Sequence, residues 1–168
     1  MRSAGQQVMR PVIPILVHKK YIMKAVVQRV SEAKVSVGGS VSGQIGKGLL
    51  ILVAVHEDDD ESLMKWVADK CRRLRIFEDD DGKMNRSVED VQGEILLISQ
   101  FTLYGEVKKG TRPSFIHSAG PEKGEAIYNR MHAYLEEAMP GKIATGVFGA
   151  KMEVSLVNDG PVTIIVER

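Results

Sequence analysis

The sequence lacks the residues that disulfide bonds, metal clusters and membrane-spanning helices require. Cys71 is the only cysteine of the chain, so no intrachain disulfide can form. This composition fits a reducing compartment, and we expect a cytoplasmic protein. The four histidines show no zinc-site spacing, and the sequence implies neither a metal ion nor a cofactor. The longest apolar run, residues 49–55, is far shorter than the roughly 20 residues that a membrane-spanning helix requires.

A large excess of charge of either sign is missing too. The chain has 23 lysines and arginines against 22 aspartates and glutamates, which gives a formal net charge of +1. Any contact with nucleic acid must therefore come from a local basic patch, because no global positive field exists. With 168 residues, of which 43% are hydrophobic, the chain has the size and composition of one ordinary globular domain.

Residues 1–22 differ from the rest of the chain because they contain basic residues but no acidic ones. Pro11 and Pro14 prevent a continuous helix in this stretch. One interpretation is an organelle-targeting peptide, since such peptides are basic and poor in acids. The other is an upstream start or a disordered tail, with the fold beginning at Met23. Residues 12–17 could also pair as an edge strand, where proline is tolerated.

The apolar residues of the remaining chain alternate between strand and helix spacing. The pattern predicts strands over residues 24–30, 33–37, 41–45, 48–55 and 94–103, and helices from about 57–61 to 75 and over 121–139. Gly38-Gly39 is a hairpin signal between two of these strands. The continuous apolar runs at 48–55 and 94–103 are typical of strands buried on both faces. Trp66 and Cys71 lie on the apolar face of the first helix and are predicted core residues.

A glycine-proline pair, Gly160-Pro161, lies between two strand-like runs, residues 151–157 and 162–166. Proline fixes its own φ, and the bond before it can be cis, which turns the chain sharply. Asn, Asp, Gly and Pro are the usual turn residues, so the plain interpretation is the turn of a final hairpin. The alternative is a rigid loop with a function, and this stretch alone does not decide between them.

Polar side chains end the second buried strand. Ser99, Gln100 and Thr102 stand there, either as buried groups whose hydrogen bonds the backbone satisfies or as part of a site. The loop that follows, residues 104–115, interleaves Lys108, Lys109 and Arg112 with aromatic residues. Such a loop suits phosphates and an unstacked base, although a solvated loop has the same composition. His117, close to this loop in sequence, is a candidate general base or a plain surface residue.

Several of these stretches together resemble the D-aminoacyl-tRNA deacylase family, once called D-tyrosyl-tRNA deacylases. The motifs that carry the resemblance are Ser99-Gln100-Phe101-Thr102, Arg112-Pro113-Ser114-Phe115, Asn158-Asp159-Gly160-Pro161-Val162-Thr163, the start at residues 24–30, and Lys83-Met84-Asn85. The likeness covers residues 23–168, a single domain, and leaves out the extension at 1–22. It implies an α/β fold in three layers, with a strongly curved, barrel-like mixed β-sheet and two main helices, assembled as a homodimer.

The resemblance also implies an activity. The family hydrolyses the ester between a D-amino acid and the terminal adenosine of tRNA, and it also removes glycine from the wrong tRNA. The partners implied are tRNA and a second copy of the chain, with no membrane. Gly160-Pro161 would have a cis bond and enter the active site of the other subunit, where its carbonyls exclude an L side chain.

Site residues follow from the same resemblance. Ser99, Gln100, Phe101 and Thr102 would form the catalytic pocket, Arg29 and Asn158 would support the Gly-Pro loop, and Lys108, Lys109, Arg112, Phe148 and Met152 would contact tRNA and its terminal adenosine. A main-chain loop suits this task, because it contacts the α-carbon of the amino acid and not the side chain beyond it. Glycine has no Cβ, so the loop would not exclude it.

Two mechanisms and two rival functions stay open. The ribose hydroxyl could help to activate water, with N–H groups near Phe101 and Thr102 as an oxyanion site. Alternatively, Thr102 is a covalent nucleophile, which requires an adjacent base that the sequence does not reveal. The rival functions are a non-catalytic nucleic-acid-binding module that uses Lys108, Lys109 and Arg112, and a scaffold that only dimerises.

Overall fold

The structure, a computed structural model, describes residues 23–168, and the predicted extension over residues 1–22 lies outside them. The elements are β1 Lys24–Val37, β2 Ser40–Ile45, β3 Gly48–Ala54, α1 Glu61–Arg73, β4 Phe77–Glu78, β5 Met84–Arg86, β6 Glu94–Ser99, a 3₁₀ helix Phe101–Tyr104, α2 Pro121–Ala138, β7 Ile143–Thr145 and β8 Glu153–Glu167. In this part of the chain, no helix combines the length and the apolar character that crossing a membrane demands.

The long strand β1 is the centre of the sheet. One edge of β1 pairs antiparallel with β8, and its other edge pairs antiparallel first with β3 and then with β2. The hairpin between β1 and β2 turns at Gly38 and Gly39, which have φ values of 55° and 84° and so confirm the predicted turn. Beyond β3 the sheet continues through β6 and β7 in parallel pairing, so the sheet is mixed.

The two ends of this sheet curve towards each other. Ser42 of β2 donates its hydroxyl to the carbonyl of Thr145 in β7 at 3.2 Å. The neighbouring Gly43 leaves so little space that an added Cβ would lie 2.5 Å from the same carbonyl oxygen. The sheet is therefore nearly closed like a barrel, and the predicted curved mixed sheet with two helices is confirmed.

Strands β3 and β6 bury both of their faces, as their continuous apolar sequences predict. Alternate residues belong to two core clusters. Leu49, Ile51, Ile95 and Leu97 pack with the two helices, whereas Leu50, Leu96 and Ile98 pack with Val30 and Val35 on the other side of the sheet. The carboxyl end of β6 is thus held from both sides, which fixes the direction in which the chain leaves it.

Both predicted helices are present and contact each other. Helix α1 begins after Asp60, whose carboxylate accepts the N–H of Leu63 at 2.8 Å, and it ends at Arg73. Cys71 is fully buried, and burial raises the pKa of its thiol to about 12, so it is a core residue as predicted. Trp66 is partly buried and packs against the same core.

The predicted C-terminal hairpin is wrong. Strand β8 runs through Gly160-Pro161 without reversing, and both of its halves pair with β1. Gln28 is opposite Thr163 and Val30 is opposite Asn158, so residues 159–162 all face the single residue Arg29. We call residues 159–162 the bulge. Glycine and proline occur in strand bulges as well as in turns that reverse the chain. The sequence therefore did not distinguish a bulge from a hairpin turn.

Candidate active site

A cavity of about 500 Å³ opens at the carboxyl end of β6. The predicted site residues Ser99, Gln100, Phe101, Phe148 and Met152 all line it. They come from the end of β6, the 3₁₀ helix and the segment between β7 and β8, so the fold brings together residues about 50 positions apart in sequence. We call this space the main cavity.

The floor of the main cavity is where the chain leaves β6. The N–H of Gln100 still donates to Val53 of β3 at 2.7 Å, and the 3₁₀ helix begins with the next residue. The N–H groups of Phe101 and Thr102 stand at the start of this helix and find no acceptor within residues 23–168. Backbone donors without an acceptor in the protein are available to a ligand or to water.

Thr102 differs from its predicted neighbours because it does not line the main cavity. Its hydroxyl oxygen accepts a hydrogen bond from the side-chain amide of Gln100 at 2.5 Å. Within the described chain, no carboxylate, imidazole or amine forms a hydrogen bond with this hydroxyl. A nucleophilic threonine requires a base that removes its proton, and the structure places none beside it.

The walls of the main cavity are apolar and aromatic. Phe101 and Phe115 meet edge to face with ring centroids 5.1 Å apart. Across from them, Phe148 packs on the ring of Tyr128 in α2 at 5.8 Å. Tyr128 is fixed because its buried hydroxyl donates to the carbonyl of Leu97 at 2.8 Å. Flat apolar walls with a few polar groups at one end suit a nucleoside.

Tyr128 is a supporting residue that the sequence analysis missed. Burial raises the pKa of its hydroxyl to about 12, so the group stays a neutral hydrogen-bond donor. The signal that could have identified it is its helical spacing with Met131 and Leu135, both buried on α2.

Arg29, which the resemblance gives as a supporting residue, contacts the bulge through its buried guanidinium group. It is only 5% exposed. Its Nε donates to the carbonyl of Asp159 at 2.8 Å and lies 3.3 Å from the carboxylate of the same residue. Its Nη1 donates to the carbonyl of Ile76 at 2.6 Å, a link to the segment before β4 that the sequence did not suggest.

Asn158 closes the bulge from its other side. Its side-chain oxygen accepts the N–H of Val162 at 2.7 Å, and its side-chain nitrogen donates to the carbonyl of Val162 at 3.2 Å. One side chain, directly before the bulge, is therefore hydrogen-bonded to both main-chain groups of its last residue. Together with Arg29 it restrains the bulge through three hydrogen bonds to main-chain atoms of the bulge.

The tip of the bulge is the peptide bond between Gly160 and Pro161, which is cis. Gly160 has a φ of 150°, a value that side chains with a Cβ rarely adopt. Both residues are exposed, and neither lines the main cavity of its own chain. The bulge is thus a restrained main-chain projection that faces outwards from the chain that carries it.

The predicted basic loop follows the 3₁₀ helix. Lys108, Lys109 and Arg112 are all exposed and do not line the main cavity. Glu106 accepts the N–H of Lys108 at 2.8 Å, and this hydrogen bond keeps the pKa of Glu106 below its ordinary value. The loop therefore exposes three basic side chains, and Phe115 at its end lines the main cavity.

His117 lies apart from the main cavity. Its ring stacks on that of His56 at 6.1 Å, and both histidines line a separate space of about 320 Å³ with Tyr104. The structure therefore gives no support to His117 as a base for chemistry beside Ser99.

Comparison with known proteins gives one consistent result. A family model described as "D-Tyr-tRNA(Tyr) deacylase" matches residues 26–167. A D-aminoacyl-tRNA deacylase of Thermotoga petrophila is 56% identical over 145 residues, which cover 86% of this chain and 97% of the relative. A D-aminoacyl-tRNA deacylase of Exiguobacterium sibiricum is 52% identical over 147 residues and is covered completely.

Two solved structures have the same fold. One, described as "c-Myc DNA Unwinding Element Binding Protein", is 43% identical, with a TM-score of 0.82 and coverage of 86% of this chain and 98% of that chain. The other, described as a probable eukaryotic D-amino acid tRNA deacylase, is 17% identical, with a TM-score of 0.76 and coverage of 88% and 100%.

Proposed function

The chain belongs to the D-Tyr-tRNA(Tyr) deacylase family, whose members hydrolyse the ester bond of aminoacyl-tRNA, and from this premise we propose how its residues select and cleave the substrate. The main cavity holds the terminal aminoacyl-adenosine, and the bulge of a second copy reads the handedness of the amino acid. The observation that carries this proposal is that the tip of a restrained main-chain loop, Gly160-Pro161, is exposed and does not line the cavity of its own chain.

The bulge suits chiral selection because it presents main chain. A site that accepts every side chain of one hand must contact the α-carbon and ignore what extends from it. Backbone carbonyls have no rotamers, and they can accept hydrogen bonds from the α-ammonium while colliding with a Cβ on the wrong side. Collision can discriminate more strongly than the roughly 1–3 kcal/mol of a methylene-sized pocket difference.

A second copy of the chain is needed to bring the bulge to the substrate. Gly160 and Pro161 are exposed and absent from the lining of their own cavity, so they reach a reacting centre only in another molecule. A two-fold dimer would place each bulge in the cavity of its partner, because an isologous interface repeats every contact. This arrangement also accounts for the hydrogen bonds by which Arg29 and Asn158 restrain a surface loop.

The terminal adenosine would lie between the apolar walls of the main cavity. Phe148 and Met152 would contact the base, and the polar end at Ser99 and Gln100 would face the amino acid and the ribose. Lys108, Lys109 and Arg112 would meet the phosphates that lead out of the cavity. Glycyl-tRNA would be hydrolysed as well, since a bulge that acts by colliding with a Cβ does not reject an amino acid that lacks one.

Hydrolysis would rely on position and on backbone donors. The N–H groups of Phe101 and Thr102 lack acceptors among residues 23–168 and would stabilise the oxyanion that forms when water attacks the ester. The neighbouring ribose hydroxyl would help to activate that water. The alternative, a covalent Thr102, is less well supported because its hydroxyl accepts from Gln100 and has no basic partner among residues 23–168.

One assay tests the proposal as a whole. The full-length protein is incubated with D-Tyr-tRNA and with L-Tyr-tRNA, and the loss of each ester is followed over time. Rapid release of D-tyrosine with intact L-Tyr-tRNA is the expected result. Equal rates for the two esters would exclude chiral selection, and absence of release from both would exclude the hydrolase.

A non-catalytic nucleic-acid-binding role is the second candidate. It is favoured by the exposed basic loop and by the 43% identical structure described as a binding protein of a DNA unwinding element. The same assay separates the two functions, because a binding module retains tRNA without releasing D-tyrosine. Binding alone, measured in the same samples, would therefore favour this candidate.

A further inference from the structure

Gly146 is the first residue after β7, and its environment is unusual for a glycine. Its N–H donates to the carbonyl of Leu97 at 3.3 Å, which extends the pairing of β7 with β6. It is not among the glycines with positive φ, so an L side chain could adopt its backbone torsions. The reason for a glycine at this position must therefore lie in the space around its Cα.

That space is occupied by two side chains that border the main cavity. A Cβ at Gly146 would lie 2.5 Å from Sδ of Met152 and 3.1 Å from Cδ1 of Ile98. Non-bonded carbon atoms are normally about 3.5–4.0 Å apart, so the contact with Met152 is an overlap, whereas the contact with Ile98 is tight and is relieved by a shift of a few tenths of an ångström. A side chain at this position can therefore be accommodated only if Met152 moves.

Met152 is the neighbour that can move. Ile98 is 1% exposed and packs in the core cluster with Val35, where interior side chains leave no free volume. Met152 is only partly buried, has a flexible thioether side chain and borders an open space. A methyl group on Gly146 would therefore displace Met152 towards the main cavity and make that cavity shallower.

We propose that Gly146 is a positioning residue that sets how deep Met152 stands in the wall of the main cavity, and thereby the fit of the substrate's terminal nucleobase. The inference rests on the proposed function, in which Met152 and Phe148 contact that base. Gly146 touches no substrate in this account, because its effect is transmitted through the thioether side chain of Met152.

The first experiment compares Gly146→Ala with Gly46→Ala. Gly46 is the matched control, because a Cβ there meets only an ordinary contact with the Glu94 carboxylate at 3.7 Å, its φ is not positive and it does not line the main cavity. We expect Gly146→Ala to raise KM for D-Tyr-tRNA roughly tenfold with kcat within about twofold, as for a change in a binding pocket. Gly46→Ala should leave both constants unchanged. A folded Gly146→Ala protein with the KM of the wild type overturns the inference.

A second pair of variants serves if Gly146→Ala does not fold. Met152→Ala removes the side chain that the new methyl group would strike, so Gly146→Ala in that background should fold. We expect the double variant to have the same KM as Met152→Ala alone, because the methyl group enters space that is already vacated. A double variant that stays unfolded, or whose KM differs several-fold from that of Met152→Ala, overturns the inference.

Binding of adenosine monophosphate separates this inference from the proposed function. Its affinity for the wild type, Gly146→Ala and Gly46→Ala is measured by calorimetry, without turnover. Weaker binding to Gly146→Ala alone, roughly tenfold, supports the inference even if ester hydrolysis fails. Equal affinities for all three proteins overturn it, whereas loss of D-Tyr-tRNA hydrolysis in the wild type overturns only the proposed function.

Discussion

The guanidinium Nε of Arg29 donates a hydrogen bond of 2.8 Å to the carbonyl of Asp159, across the place where β1 and β8 fall out of register. The arginine side chain is buried beneath an exposed loop, whereas charged side chains are usually exposed to solvent. Its second nitrogen binds the carbonyl of Ile76, so the bulge is tied to the core rather than to neighbouring surface residues. Under the proposed function, this tie would keep the main-chain loop rigid enough to discriminate between D- and L-aminoacyl esters.

Arg29→Lys should impair the bulge more than the fold. A lysine has one nitrogen and reaches either Asp159 or Ile76, so one buried carbonyl loses its charged donor, a loss of about 1.5–3 kcal/mol. We expect kcat/KM for D-Tyr-tRNA to fall at least roughly tenfold and hydrolysis of L-Tyr-tRNA to become detectable. The control is Arg75→Lys, since Arg75 donates to Asn85 on the surface. Equal activities of the two variants would remove Arg29 from the selective machinery.

Gly160→Ala tests the bulge directly. An added Cβ would lie 2.6 Å from both N and Cγ2 of Val162, and a φ of 150° strains any residue except glycine. We expect the bulge to shift and the ratio of D-Tyr-tRNA to L-Tyr-tRNA hydrolysis to fall by roughly tenfold or more.

The matched control for that variant is Gly39→Ala, in the hairpin between β1 and β2. It has a φ of 84° but no atom within 4 Å of an added Cβ, so it carries the torsional cost without the collision. If Gly160→Ala lowers the denaturation midpoint and leaves the kinetics on both esters intact, the loop has only a structural role. That result would favour the rival function of a scaffold that only dimerises.

Gly48→Ala should damage the fold itself. A Cβ on Gly48 would lie 1.9 Å from the carbonyl oxygen of Glu94, where β3 and β6 run side by side. Both strands are buried on two faces and cannot separate, so we expect a loss of about 3 kcal/mol or more in the free energy of unfolding. Urea denaturation measures it, with Gly46→Ala as the reference, since a Cβ on Gly46 meets only an ordinary contact at 3.7 Å. A loss below about 1 kcal/mol would mean that the strand pair is more yielding than its packing indicates.

Asp59 predicts a distinctive dependence of stability on pH. Its carboxylate accepts the N–H of His56 at 2.7 Å, its other oxygen has no hydrogen-bond partner among the described residues, and burial raises its pKa from 3.8 to about 6. The folded state therefore binds this proton more tightly than the unfolded state. Its contribution to stability is complete below pH 4 and is lost as the pH rises through about 6.

Asp59→Asn removes that titration. Relative to the wild type, the variant should gain on the order of 2 kcal/mol between pH 4 and pH 7.5, measured by chemical denaturation at both values. Carboxylates with lowered pKa values, such as Asp79 and Asp90, act in the opposite direction but cancel in the difference between the two proteins. The exposed Asp81→Asn is the control. A difference that does not change with pH would show that Asp59 titrates normally.

Lys108 and Lys109 should contribute to tRNA affinity through charge. Replacing both by alanine removes two exposed cations from the loop at residues 104–115. We expect weaker binding of tRNA and a salt dependence of log Kd that is shallower by roughly one unit for each phosphate that the loop no longer neutralises. The exposed pair Lys70 and Lys83, replaced in the same way, is the control. If both double variants keep the wild-type slope, the loop does not bind the phosphates.

Much of this fold can be derived from local patterns. The runs at β3 and β6 indicate strands with two buried faces because no polar residue interrupts them. Asp60 and Glu61 mark the beginning of α1 because acids satisfy the open N–H groups of a first turn. These inferences succeed because the chemistry that decides them lies within a few residues.

The site was predicted less completely, and the failures have a common cause. Gly160-Pro161 was expected in a hairpin, yet β8 continues past it, because pairing with β1 is a long-range property of the backbone. Thr102 stays a predicted site residue, and the structure adds that its hydroxyl accepts a hydrogen bond from the amide of Gln100, which lines the main cavity. Gly146 carried no sequence signal, since its importance depends on Met152 and Ile98, which meet it only in the folded chain.

By itself the sequence determined the class of fold, the buried strands, the two helices and, through its motifs, the family to which the chain belongs. Only the tertiary structure decided that the Gly-Pro pair stands on a bulge tied to the core by Arg29, outside the cavity of its own chain. The physical reason is the distance along the chain between the residues that interact. Periodicity and capping act between neighbours along the chain, whereas the register of β1 against β8 and the depth of the cavity depend on contacts between distant residues.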